Sequence, residues 1–193
     1  MRIIGGQSKG RTLSSVTGPT RPTSDRAREG LFSSSLVSEF GDFEDLRFLD
    51  LFAGSGAIGL EALSRSVSTV HAVEKDENAV RTIKANAELI QQGNSLGDFH
   101  LYAMSVQKFL EAPAPTSYDI VYVDPPYDFP EKDLYKCLSD LRAGSFLREG
   151  AVIAVERAGK SPALQWPDGY EPMRARNYGQ AVIHYGSPLT KNG

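Results

Sequence analysis

From Leu46 to Val155, short apolar runs alternate with stretches in which apolar residues recur every three or four positions. Residues 48–52, 69–73, 99–103, 118–123 and 151–155 read as strands. Between them the 3.6-residue period predicts helices through Leu60-Glu61-Ala62-Leu63 and over 78–90, 106–110 and 134–141. Repeated strand–helix units imply an α/β fold with a parallel, doubly wound sheet. Two further strands, 170–176 and 181–185, flank Asn177-Tyr178-Gly179 and predict a late antiparallel pair. Ahead of Leu46, 2–4 and 11–13 are short strand candidates joined by Gly5 to Gly10, which predicts a small N-terminal β-hairpin arm. Gly18-Pro19-Thr20-Arg21-Pro22 ends that arm. Thr23 or Ser24 then caps a helix over 24–38, in which Leu31, Phe32, Leu36 and Val37 share a face.

At 193 residues the chain suits one domain with a small appendage, and we divide it into an arm, 1–22, and a body, 23–193. Its single cysteine, Cys137, excludes an intramolecular disulfide and fits a reducing compartment. No apolar run resembles a signal peptide or a membrane span, so the expectation is a soluble, cytoplasmic monomer with no membrane partner. The net charge of −3 at first argues against a nucleic-acid partner. Its distribution changes the picture. Residues 1–28 carry six basic side chains, Arg2, Lys9, Arg11, Arg21, Arg26 and Arg28, against Asp25 alone. A basic arm on an acidic body is a layout suited to gripping phosphates, although a solvated tail has the same composition.

Two motifs carry candidate chemistry. The first, Asp50-Leu51-Phe52-Ala53-Gly54-Ser55-Gly56-Ala57-Ile58-Gly59, lies where a strand hands over to a helix. Glycines there let a ligand approach the backbone, and the helix start supplies unpaired N–H groups. Glu74, ending the second strand, stands where an acid would hydrogen-bond ribose hydroxyls. Turn and acid together indicate an adenosine-containing cofactor, and Gly54-x-Gly56-x-x-Gly59 also matches the dinucleotide fingerprint. Asp50 favours S-adenosylmethionine, because a carboxylate would repel a pyrophosphate but suit a cationic amino-acid end.

The second motif, Asp124-Pro125-Pro126-Tyr127, closes the fourth strand. Two successive prolines make the segment stiff and extended. It then presents the Asp124 side chain and nearby carbonyls as fixed acceptors for both hydrogens of an exocyclic base amine. Tyr127 offers a flat face on which an unstacked base could lie, a contact worth about 1–3 kcal/mol.

These residues resemble the bacterial ribosomal RNA guanine-N2 methyltransferases that modify the small-subunit RNA. The resemblance runs through Arg2-Ile3-Ile4-Gly5-Gly6, Gly10-Arg11-x-Leu13, Arg21-Pro22-Thr23-x-Asp25-Arg26-x-Arg28-Glu29-x-Leu31-Phe32, Leu49 to Arg65, and Val123-Asp124-Pro125-Pro126. It implies a Rossmann-like class I methyltransferase fold, with a seven-stranded, mostly parallel sheet and helices on both faces. It implies S-adenosyl-L-methionine as cofactor and methyl transfer to the N2 amine of a guanine in small-subunit ribosomal RNA, naked or within an assembled subunit. Asp124, Pro125, Pro126 and Tyr127 become the catalytic segment. Asp50, Phe52, Gly54, Ser55, Gly56 and Glu74 surround the cofactor. Ala103 and Met104, following strand three, line the adenine pocket. Arg2, Lys9, Arg11, Arg21, Arg26 and Arg28 are the RNA-contact set.

The remaining polar residues have plainer readings. His71, His100 and His184 have no partner at a metal-ligand spacing, so no metal is expected. Cys137 and Trp166 read as packing residues, and Glu156-Arg157 as strand-end polar residues. Phe129 either walls the base pocket or covers the core. The rival readings are a nicotinamide oxidoreductase, which leaves the Asp-Pro-Pro-Tyr segment unexplained, an amino-methyltransferase acting on DNA adenine or protein glutamine, and a non-catalytic RNA-binding module that kept the fold.

Overall fold

The computed structural model describes residues 1–16 and 25–190. Seven strands form one sheet: β1 (Arg47–Leu51), β2 (Thr69–Glu74), β3 (Asp98–Ala103), β4 (Tyr118–Val123), β5 (Leu147–Ala158), β6 (Tyr170–Tyr178) and β7 (Ala181–Pro188). Their order is β3-β2-β1-β4-β5-β7-β6. The first five run parallel, and β7 inserts antiparallel between β5 and β6. The helices are α1 (Asp25–Gly30), α2 (Val37–Phe40), α3 (Ala57–Ser64), α4 (Glu77–Gln91), α5 (Val106–Glu111) and α6 (Glu131–Ala143).

The sheet separates two cores. Phe48, Ile120, Tyr122, Ala154 and Tyr185 face one way, toward α1, α3, α4 and the N-terminal segment. Leu49, Leu51, Val121, Val123 and Val155 face the other, toward α5 and α6. Strands buried on both faces are near-continuous apolar runs, as in Tyr118–Val123. The α4 helix buries Ala79, Val80, Ile83, Asn86, Ala87 and Ile90, a single stripe, and Asp76 caps it by accepting from the Ala79 N–H at 2.9 Å.

Three expectations shift. The helix expected over 24–38 is broken into α1, a π-helical turn at Leu31–Leu36, and α2. A π turn widens the helix where side chains must be accommodated, and this one buries Leu31, Phe32, Ser35 and Leu36. Strand β1 stops before Phe52, because that residue takes φ +61° and cannot continue a strand. Strand β5 begins earlier than expected and is irregular opposite β4, between Tyr118 and Ile120, with Gly150 at φ +73°.

The expected hairpin is present as a single antiparallel bridge, Arg2 to Thr12, and it is docked rather than projecting. Ile3, Leu13 and Ser8 are buried. The Ile4 and Gly5 N–H groups each donate to the Glu61 carboxylate at 2.8 Å, and the Ser8 N–H donates to Ser64 Oγ at 2.9 Å. The Asn86 side chain accepts from the Ser14 N–H and donates to the Ser14 and Ser55 carbonyls. That amide therefore ties the N-terminal segment to the glycine-rich turn.

Candidate active site

Strand order reverses between β1 and β4, and in open α/β sheets ligands bind outside the carboxyl ends of the strands at such a switch point. Both motifs end there. Leu51 lies opposite Val123, and the Asp124 N–H reaches the Leu51 carbonyl at 3.4 Å. The glycine turn and the Asp-Pro-Pro-Tyr segment thus leave the sheet side by side.

The turn is built from unusual backbone. Phe52, Gly54 and Gly56 all have positive φ, at +61°, +57° and +77°. Left-handed geometry at Phe52, which is not glycine, is a strained conformation of the kind found at functional sites. A Cβ at Gly54 would meet nothing within 4 Å, so this glycine faces open space. A Cβ at Gly56 would press on Ile83 of α4 at 3.2 Å, so that position is closed by packing. Ser55 is half-buried between them, its carbonyl held by Asn86.

Asp50 lies inside the turn rather than on its surface. It is buried beneath the turn and accepts the Gly59 N–H at 2.9 Å. Burial pushes its carboxyl up to about 7; the Gly59 hydrogen bond opposes this, and Glu74 adds to it. In this position Asp50 anchors the first turn of α3 behind the glycines. Glu74 is the acid at the surface of the site. One carboxylate oxygen accepts the Gly54 N–H at 2.9 Å, and the other accepts the Lys75 and Asp76 N–H groups at 2.8 Å. It fixes both the turn and the start of α4. Ala103 lies beside Glu74 in register, and Met104 follows it, partly buried against the α5–α6 core.

Across the switch point, Asp124 is half-buried, Pro125 buried, and Pro126 and Tyr127 exposed. Tyr127 is 64% exposed, unusual for so large a ring, and lies outside both cores. The Phe129 N–H closes a turn onto the Pro126 carbonyl at 2.9 Å. Phe129 packs edge-on against Phe52 with ring centroids 5.1 Å apart, which resolves its role: it joins the two motifs. Sequence reasoning passed over Tyr122 and read Glu156 only as a strand-end polar residue. The Tyr122 hydroxyl donates to the Glu156 carboxylate across β4 and β5. The detectable signal was parity. Both residues stand at the same alternation as Asp124 on adjacent strands.

The basic residues divide. Arg2, Lys9 and Arg26 are exposed. Arg11 donates to the Leu89 and Gln92 carbonyls at the end of α4 at 2.5 Å each, so its guanidinium caps a helix. Arg28 is wholly buried, donates to the Arg2 carbonyl and Asp25, and approaches Glu61 at 3.8 Å. Arg28 is thus enclosed by the protein, and the Arg11 guanidinium is engaged by two backbone carbonyls. Arg21 lies outside the described residues. His71 bonds Tyr118 at 2.7 Å and packs edge-on against His100, while Trp166 packs on Tyr170 and over Gly186. Cys137 is core, and Arg157 pairs with Glu131.

Known proteins share this architecture. The profile of the Conserved hypothetical protein 95 family matches residues 1–187. The Escherichia coli protein named Ribosomal RNA small subunit methyltransferase D is 34% identical over 183 residues, covering 94% of this chain and 87% of its own. The Haemophilus influenzae protein of the same name is 29% identical over 187 residues, covering 96% and 91%. A solved Escherichia coli structure, yhhF, described as a candidate methyltransferase, superposes with a TM-score of 0.81 at 31% identity over 98% of both chains.

Proposed function

This chain belongs to the Conserved hypothetical protein 95 family, and on that premise we propose that it transfers a methyl group from S-adenosyl-L-methionine to the N2 amine of a guanine in small-subunit ribosomal RNA. The carrying observation is the pairing at the switch point: an open glycine turn at the end of β1 beside an Asp-Pro-Pro-Tyr segment at the end of β4.

The residues present fit the cofactor. Gly54 opens onto free space that a Cβ would occupy, and Glu74 stands at the carboxyl end of β2 where ribose hydroxyls need acceptors. Gly54, Ser55, Gly56 and Phe52 would hold its amino-acid end, with Glu74 at the ribose and Ala103 and Met104 at the adenine. When bound, S-adenosylmethionine supplies an electrophilic methyl group.

The chain's own work is positioning and electrostatics. Asp124 accepts an N–H of the base amine and aims its nitrogen; the rigid Pro125-Pro126 segment keeps that aim. Tyr127 stacks on the base once it has left its own stack. No strong general base is needed, because the nitrogen becomes acidic as it is methylated and can release its proton afterwards. Arg2, Lys9 and Arg26 contact phosphates and set position rather than sequence. We place the reaction in the cytoplasm, with an assembled small subunit as the substrate. Among the described residues no helix is long and apolar enough to cross a membrane.

Asp124→Ala tests the assignment. We expect transfer to fall by at least about 100-fold, the scale of a lost orienting group, while cofactor affinity measured by calorimetry stays within threefold (~0.7 kcal/mol) of wild type. Loss of cofactor affinity instead would move Asp124 out of the acceptor site.

A further inference from the structure

Strands β4 and β5 run parallel, with Tyr122 opposite Ala154 and Val123 opposite Val155. Side chains alternate along a strand, so the next residues on the Tyr122 and Ala154 face are Asp124 and Glu156. Two carboxylates therefore stand on neighbouring strands at one end of the sheet, about 5 Å apart at the backbone. Tyr122 is almost wholly buried, and its hydroxyl holds a Glu156 carboxylate oxygen. Near Tyr122 lies Arg28. It is wholly buried, its Nη1 has no hydrogen-bond partner, and it is close enough to Tyr122 to interact electrostatically.

We propose that Glu156 reads the base edge next to the amine that Asp124 orients, and so selects guanine over adenine. The inference rests on the function proposed above and assigns a specificity residue to that site. On guanine, the N2 amine is flanked by N1–H, so two donors stand side by side. Two adjacent carboxylates complement them, Asp124 at the amine and Glu156 at N1–H. On adenine, the amine is flanked by a bare N1 lone pair, which would face a carboxylate with no hydrogen between them. A site built to accept a donor rejects the analogue lacking it strongly, because its polar group is left unpaired. Tyr122 fixes the Glu156 rotamer, and Arg28 supplies a buried cation on the same face.

The test uses the full chain, S-adenosylmethionine and small subunits reconstituted with guanine or 2-aminopurine at the methylated position. 2-Aminopurine keeps the N2 amine but presents an acceptor at N1. The wild-type enzyme should prefer guanine by about 100-fold in kcat/KM, the scale of one unpaired buried polar group. Glu156→Gln, whose amide can donate to that N1, should narrow the preference below about tenfold, with cofactor affinity unchanged. Tyr122→Phe leaves the carboxylate but not its holder, and should raise KM and give an intermediate preference. A wild-type preference retained in both variants overturns the inference, as does loss of cofactor affinity in Glu156→Gln. A wild-type enzyme that methylates no guanine brings down the proposed function itself.

Discussion

Phe52, Gly54 and Gly56 put three left-handed residues into five positions, and only one of them faces open space. For Gly54→Ala we expect two separable effects. Left-handed backbone costs an alanine about 1–2 kcal/mol, lowering the melting temperature by a few degrees. The added methyl also enters the space left for the cofactor, so calorimetry should show an affinity loss larger than the stability loss predicts. Asp50 gives a pH signature. Its folded-state value is raised to about 7, above the usual carboxylate range, so the native state holds a proton that the unfolded chain releases. Stability from this group is complete below about pH 4 and declines as pH rises toward 7. Asp50→Asn keeps an acceptor for the Gly59 N–H but cannot ionise. The cofactor-free variant should match wild type near pH 4 and melt at least about 4 °C higher at pH 7.5, equivalent to 1 kcal/mol or more in a domain this size. The glycines and acids were legible from spacing alone. That Asp50 is buried while Glu74 reaches the surface was not, because that depends on which side of β1 carries Asp50.

Glu61 is the joint between elements. Wholly buried on α3, it accepts two N–H groups from the N-terminal segment and one from Arg65, and lies near Arg28. Removing one partner of a buried ion pair strands the other charge. Glu61→Ala should therefore cost about 3–5 kcal/mol in denaturant unfolding, far more than loss of a surface pair. It should also release the Arg2–Thr12 bridge, seen as lost amide protection at Ile3 and Leu13. Strand–helix alternation and the antiparallel pair were readable because burial on both faces leaves near-continuous apolar runs in Phe48–Leu51 and Tyr118–Val123, each broken by a single aspartate. The π turn at Leu31–Leu36 was not, since its apolar spacing also satisfies a regular helix. The docking of residues 1–13 was hidden because it depends on backbone N–H groups meeting Glu61, which leaves no periodicity.

At the scale of the whole molecule, net positive charge is concentrated in the first 28 residues, and the remainder of the chain is net acidic. Burial takes Arg28 and helix capping takes Arg11 from the six basic residues of the first 28, a partition that composition cannot disclose. Replacing Arg2, Lys9 and Arg26 together with Ala should weaken RNA binding and reduce the slope of log affinity against log salt by about 2–3. Arg11→Ala should instead lower stability and leave that slope unchanged.

Paired strand ends arranged in this way would deliver a methyl group from S-adenosylmethionine to a guanine N2. The direct measurement incubates the protein and radiolabelled S-adenosylmethionine with small ribosomal subunits from cells lacking this enzyme, then digests the RNA and identifies the labelled nucleoside. The expected result is label in N2-methylguanosine, absent with Asp124→Ala. Label in another nucleoside, or none in RNA while the cofactor still binds, would contradict it.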